Sequence, residues 1–182
     1  MGHAKENAVF VPLNIAVLTV SDTRTCETDT SGDTLQSALE ESGHRLADRS
    51  IRPDDIYQLR AQVSQWIADA EIQVILVTGG TGFTLRDNTP EALLPLFDKQ
   101  IEGYGELFRQ ISFDEIGTST IQSRAVAGVA NRTVIFAMPG SPRACRTAWE
   151  RVIREQLDAR QRPCNFVEMV LPDAVSACGP RS

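Results

Sequence analysis

Apolar residues recur along this chain with two different periods, and the alternation between them divides it into strands and helices. Short apolar runs rich in β-branched residues occupy 13–20, 72–77 and 133–138. Each is nearly continuous, as a parallel strand covered on both faces should be. A fourth run, 45–51, is less apolar and predicts a strand nearer the sheet edge. Between the runs the spacing becomes helical. Leu35, Ala38 and Leu39 share one face of a helix that opens at Asp29-Thr30-Ser31-Gly32, runs to about Ser42 and has Gly43 as its C-cap. Ile56, Leu59, Val63 and Ile67, with Trp66 beside them, mark a second helix started by Pro53-Asp54-Asp55. A third begins at Thr89-Pro90-Glu91, with Thr89 as N-cap and Pro90 in the first helical position, and carries Ala92, Leu93, Leu94, Leu96 and Phe97. The last opens at Ser141-Pro142 and turns Cys145, Trp149, Val152, Ile153 and Leu157 inward.

Between 101 and 132 the pattern is less regular. Two glycines flank Tyr104, and Leu107, Phe108, Ile111 and Phe113 then predict a short helix. Apolar residues on such an excursion often build a subunit interface. The hydroxyl-rich stretch 118–124 reads as a helix start ending in Arg124, and 128–132 reads as a turn. Residues 1–12 are aperiodic and predict a flexible arm or a subunit contact. Four breaks after Arg162, at Pro163, Pro172, Gly179 and Pro180, predict an extended tail over 167–182 behind a single domain at 13–166. Strands alternating with helices imply an α/β fold with a mostly parallel sheet.

Composition narrows the function. The 182 residues are 42% hydrophobic, enough for one well-filled core. A net charge of −6 and a pI near 5.0 argue against a nucleic-acid surface. No apolar run approaches the roughly 18 residues of a membrane span. The start lacks a secretory pattern, and Glu6 does not fit a myristoylation signal. Cys26, Cys145, Cys164 and Cys178 form no paired motif, which suits a reducing cytoplasm and no zinc site. His44, one of two histidines, sits just past a helix and reads as a surface residue.

The candidate chemistry lies where strands end. Thr78-Gly79-Gly80-Thr81-Gly82 follows a buried strand directly. Its glycines allow a sharp turn whose N–H groups converge on an anion. It matches neither the dinucleotide fingerprint nor the P-loop pattern. Arg86 and Asp87 come next, a cation beside a carboxylate. Pro139-Gly140-Ser141-Pro142 forms a second strand–glycine–helix junction. The polar loop 21–24 ends the first strand and reads equally as a ligand contact or an ordinary turn. Asp29-Thr30-Ser31-Gly32 combines capping with N–H groups open to a ligand. Asp54 reads as a plain N-cap on local grounds. Two glycine junctions on one sheet edge suit a ligand with two phosphate-bearing parts.

These motifs resemble the MoaB/Mog family of molybdenum cofactor biosynthesis, shared with the G domain of gephyrin. The likeness covers about 13–166 and rests on five pieces: Asp29-Thr30-Ser31-Gly32, Thr78 to Gly82, Asp87 with Thr89-Pro90-Glu91-Ala92, Ser123-Arg124, and Met138 to Ser141. The helix at Ala61-Gln62-Val63-Ser64 and the segment from Ala144 to Trp149 look most like the bacterial MoaB branch. The resemblance implies a three-layer α/β/α sandwich that forms a homo-oligomer, a trimer or, in the MoaB branch, a hexamer. It also implies adenylylation of molybdopterin by ATP with Mg²⁺, releasing pyrophosphate. Asp54 and Asp87 match the family's functional aspartates and would serve both catalysis and the metal. Asp55 beside Asp54 leaves a one-residue ambiguity. Ser31, Thr78, Gly79, Gly80, Thr81, Gly82, Ser123, Arg124, Pro139, Gly140 and Ser141 would bind molybdopterin or ATP. A carrier that binds molybdopterin without turnover is the competing expectation, and a scaffold with a vestigial site is a third.

Overall fold

Alternation along each strand decides which layer its side chains join. The structure, a computed structural model, describes residues 8–172. Its strands are β1 (Asn14–Val20), β2 (Arg45–Arg52), β3 (Val74–Thr78), β4 (Lys99–Gln100), β5 (Val126–Ala130) and β6 (Thr133–Met138). They form one sheet in the order β2-β1-β3-β6-β5-β4. The first four strands in that order are parallel, β5 is antiparallel to β6, and β4 is antiparallel to β5. Ile15 and Val17 of β1, Val74 and Leu76 of β3, and Val134 and Phe136 of β6 point to one face. There they meet α1 (Thr30–Glu41), α4 (Glu102–Ile116) and α5 (Pro142–Ala148). Ala16, Leu18, Ile75, Val77, Ile135 and Ala137 point to the other face, against α2 (Ile56–Ala68) and α3 (Thr89–Leu93). Period-2 strands between two helical layers make the expected three-layer α/β/α sandwich with a mostly parallel sheet. Among the described residues, no helix is long and apolar enough to cross a membrane.

Several local expectations are corrected. The stretch read as a turn at 128–132 is mostly β5, and only Asn131 and Arg132, with φ of +46° and +68°, make the hairpin turn to β6. Small residues hide this strand, because a Cβ at Gly128 would overlap the Phe97 ring packed on it. The short helix expected from Leu107 begins five residues earlier, as α4. It includes Gly105, where a Cβ would press on the Ala125 carbonyl, so the glycine lets helix and strand approach closely. Residues Gly117–Gln122 are a 3₁₀ turn rather than the start of an α-helix. The last long helix is interrupted. A wide π turn at Trp149–Ile153 separates α5 from α6 (Arg154–Gln156).

His44 is no surface residue. It is 5% exposed, its Nδ1 accepts the Leu13 N–H at 3.2 Å, and its ring lies between Phe10 and Trp149. Beyond residue 166 the chain is not simply extended. A helical turn, α7 (Val167–Val170), buries Val167 and Val170 in the core. Parts of the predicted arm (1–7) and tail (173–182, with Cys178, Gly179 and Pro180) lie outside the described residues.

Candidate functional site

Parallel strands end together, so β1, β2, β3 and β6 deliver their following loops to one edge. The chain moves from β1 to β2 on one side and later to β3 on the other. The β1/β3 gap is therefore the topological switch point, where open α/β sheets bind ligands. Gly79 and Gly80 turn away from β3 with φ of +103° and +64°. A Cβ at Gly79 would overlap the Val20 carbonyl oxygen, and one at Gly80 would overlap Asp54 Oδ2 and Thr89 Oγ1. A Cβ at Gly140 would lie 3.2 Å from Gly79 Cα, so the two predicted glycine junctions do meet, backbone against backbone.

Not every group in the glycine run faces a ligand. Thr78 is fully buried, and its hydroxyl lies 3.1 Å from both the Pro139 carbonyl and Cys145 Sγ. Gly79 donates its N–H to the Met138 carbonyl at 3.0 Å. Among the described residues, no hydrogen bond takes the N–H of Gly80 or Thr81. The run's anion-binding capacity therefore concentrates at those two residues. Ser31 donates its hydroxyl to the Gly140 carbonyl at 2.7 Å and so ties α1 to the second junction. Ser141 caps α5, accepting the Ala144 N–H at 3.1 Å.

The paired aspartates after β2 separate into two roles. Asp55 caps α2, accepting the N–H groups of Tyr57 and Gln58 at 3.1 and 2.9 Å. Asp54, read locally as that cap, instead turns its carboxylate against Gly80 and accepts the Asn88 N–H at 3.0 Å. Asp54 is only 6% exposed. Burial raises its pKa, hydrogen bonds from Asn88 oppose the rise, and the charges of Asp87 and Asp22 add to it. Asp87 moves the other way. Burial would raise it, but hydrogen bonds from Thr84 and Gly82 and the Arg124 charge hold it below the usual carboxylate range. Thr89, expected to cap α3, lies inside that helix and donates its hydroxyl to the Gly79 carbonyl at 2.8 Å.

Arg124 straps the loop from outside. Its guanidinium donates to the Gly82 carbonyl at 2.7 Å, to the Asp87 carbonyl at 2.6 Å and to the Glu91 carboxylate, and it stacks on Phe83. Ser123 beside it has a buried hydroxyl with no hydrogen-bond partner among the described residues. Both residues border a cavity of about 490 Å³ whose other walls include Glu102, Glu106, Arg109 and Ile121. The loop 21–24, which the sequence left open between ligand contact and ordinary turn, supplies two nearby groups that no motif singled out. Asp22 pairs with Arg86, and Arg24 reaches the Gly140 carbonyl with Nη2 at 3.5 Å. The polar loop after β1 was the available signal for both.

The donor set suits a weakly ligated hard cation. Among the described residues, no three His, Cys, Asp or Glu side chains gather as a metal site. Mg²⁺ needs no such cage. One or two carboxylates with water and substrate phosphates suffice. Asp54, crowded by two like charges, has the electrostatic environment that a cation would relieve.

Known proteins resemble this chain in sequence and fold. Residues 16–159 match the family model described as "Probable molybdopterin binding domain". Molybdenum cofactor biosynthesis protein B of Escherichia coli K12 is 62% identical over 157 residues, covering 86% of this chain and 92% of the relative. A crystal structure of a molybdenum cofactor biosynthesis protein B superposes with a TM-score of 0.79 at 43% identity, covering 81% of this chain and 92% of the other. The tungsten cofactor synthesizing protein MoaB from Pyrococcus furiosus gives 0.70 at 34% identity, covering 78% and 90%.

Proposed function

The chain belongs to the molybdopterin-binding family of molybdenum cofactor biosynthesis proteins, and from that premise we propose that it adenylylates molybdopterin. An oxygen of molybdopterin's terminal phosphate attacks the α-phosphorus of ATP. The bond from that phosphorus to the bridging oxygen breaks, and pyrophosphate leaves. Such a transfer depends on alignment and charge neutralisation more than on covalent help from the protein. The observation that carries the reading is the buried Asp54 carboxylate. It lies against Gly80, beside the loop bearing Asp87, at the switch point of the sheet. The N–H groups of Gly80 and Thr81 receive phosphate oxygens. The Ser31 and Arg24 contacts to Gly140 hold the second junction in place beside them. Asp54 and Asp87 would hold Mg²⁺, which when bound supplies charge neutralisation for the phosphates.

The assembly is a homo-oligomer, hexamer or trimer. Exposed Leu107, Phe113, Ile116 and Ile121, on α4 and the 3₁₀ turn after it, support that reading. The free thiols of Cys26, Cys145 and Cys164 fit the cytoplasm. One observation favours the competing carrier reading. Arg86 and Arg124 already face carboxylates, which leaves fewer cations for a triphosphate. Pyrophosphate release from ATP and Mg²⁺, with and without molybdopterin, decides between them. Release that requires molybdopterin supports the transferase. Molybdopterin that binds without any release supports the carrier.

A further inference from the structure

A carboxylate at the end of β1 joins the two loops that carry the proposed metal-facing aspartates. Asp22 Oδ1 accepts the backbone N–H of Asp54 at 3.1 Å. Its two oxygens also accept Arg86 Nη2 at 2.5 Å and Nε at 2.9 Å, a two-pronged pair. Arg86 immediately precedes Asp87, and the N–H of Asn88, immediately after it, is donated back to the Asp54 carboxylate at 3.0 Å. The contacts close a ring: Asp22 to the Asp54 backbone, the Asp54 side chain to Asn88, the chain back to Arg86, and Arg86 to Asp22. Asp54 and Asp87 sit on different loops, after β2 and β3, so bonds between the loops help to set their separation.

We propose that Asp22 is a positioning residue that, through the Asp54 N–H and the Arg86 guanidinium, sets the separation of the Asp54 and Asp87 carboxylates for a divalent cation. The assignment rests on the reading of those two aspartates given above. The Asp22–Arg86 pair is exposed, 37% and 62%, and pairs in that setting add little to global stability. Its consequence is geometric. One carboxylate ties together the loops after β1, β2 and β3, and losing it removes the contacts to the Asp54 N–H and to Arg86 at once.

Calorimetric titration of ATP into the full chain, with Mg²⁺ and again with EDTA, measures how much the cation strengthens nucleotide binding. Asp22→Ala and Arg86→Ala are each expected to reduce that Mg²⁺-dependent gain about tenfold, the scale on which residues behind metal ligands act. Melting temperatures should stay within about 4 °C of wild type. Asp22→Asn keeps an oxygen for the Asp54 N–H and should retain an intermediate gain. The double variant should be no worse than either single one, because both act through the same bonds. An undiminished gain in Asp22→Ala, additive losses in the double variant, or a wild-type chain without any gain would each overturn the proposal. If Asp22→Ala fails to fold, Arg86→Ala decides by the same criterion. Pyrophosphate release on the same samples keeps the two claims apart. A normal gain without release removes the transferase reading and leaves the role of Asp22 standing.

Discussion

Two adjacent carboxylates, Asp54 and Asp55, show how far position outweighs chemistry at the scale of one residue. Asp55 satisfies two N–H groups at the start of α2, and truncating such a cap costs about 1 kcal/mol. Asp55→Ala should lower the unfolding free energy from urea denaturation by about that amount and leave pyrophosphate release near wild type. Asp54→Asn should do the reverse. The fold should survive, while release falls about 10²-fold, as when one electrostatic partner of a reacting phosphate is lost. Equal effects of the two substitutions on turnover would contradict the division of roles. His44 carries a separate prediction. Burial pushes its pKa down from 6.5 to about 4, opposed by the nearby Asp158 charge. The folded chain thus resists a proton that the unfolded chain takes up below about 6.5. Stability from this group is full above that pH and is lost progressively as pH falls toward 4. Denaturation midpoints at pH 7 and pH 5 should show the drop, and His44→Gln should reduce it.

At the scale of elements, the β3–α3 loop is built around glycines that other loops occupy. Gly80 combines φ of +64° with a Cβ position already filled by Asp54 and Thr89. Gly80→Ala should cost on the order of 1–3 kcal/mol from backbone strain alone and should also displace Asp54. Thermal melting read together with pyrophosphate release checks this. A variant that melts and turns over like wild type would remove the close approach from the account. The layering is legible in the sequence because buried parallel strands announce themselves as apolar runs, as in 72–77. β5 is not legible, since Ala127, Gly128 and Ala130 lack the bulky side chains that mark a strand. His44 misleads for a related reason. It follows a helix end, and its burial comes from residues distant in sequence, among them Phe10, Leu13 and Trp149. In the candidate site, the glycine runs and Asp87 stand out as motifs, whereas Asp54 reads locally as an N-cap and gains another role only through the family resemblance. The commitment of Thr78, Gly79 and Arg124 to internal bonds is not legible, because each partner comes from another loop or strand.

Across the whole molecule, four parallel strands bring the β1, β2, β3 and β6 loops to one edge, and each loop contributes to the candidate site. Asp22, Asp54, the Gly80–Asp87 loop and Gly140 come from those four loops in turn. With a net charge of −6, and with Arg86 and Arg124 paired to carboxylates, the chain would receive a polyanionic substrate against its own field, which a bound cation would offset. The most direct measurement follows the label from ATP carrying ³²P in its α-phosphate, incubated with molybdopterin, Mg²⁺ and the full chain. The label should appear on molybdopterin with the wild-type chain and fall about 10²-fold with Asp54→Asn. Molybdopterin that is bound but never labelled would contradict the transferase reading and identify the chain as a carrier.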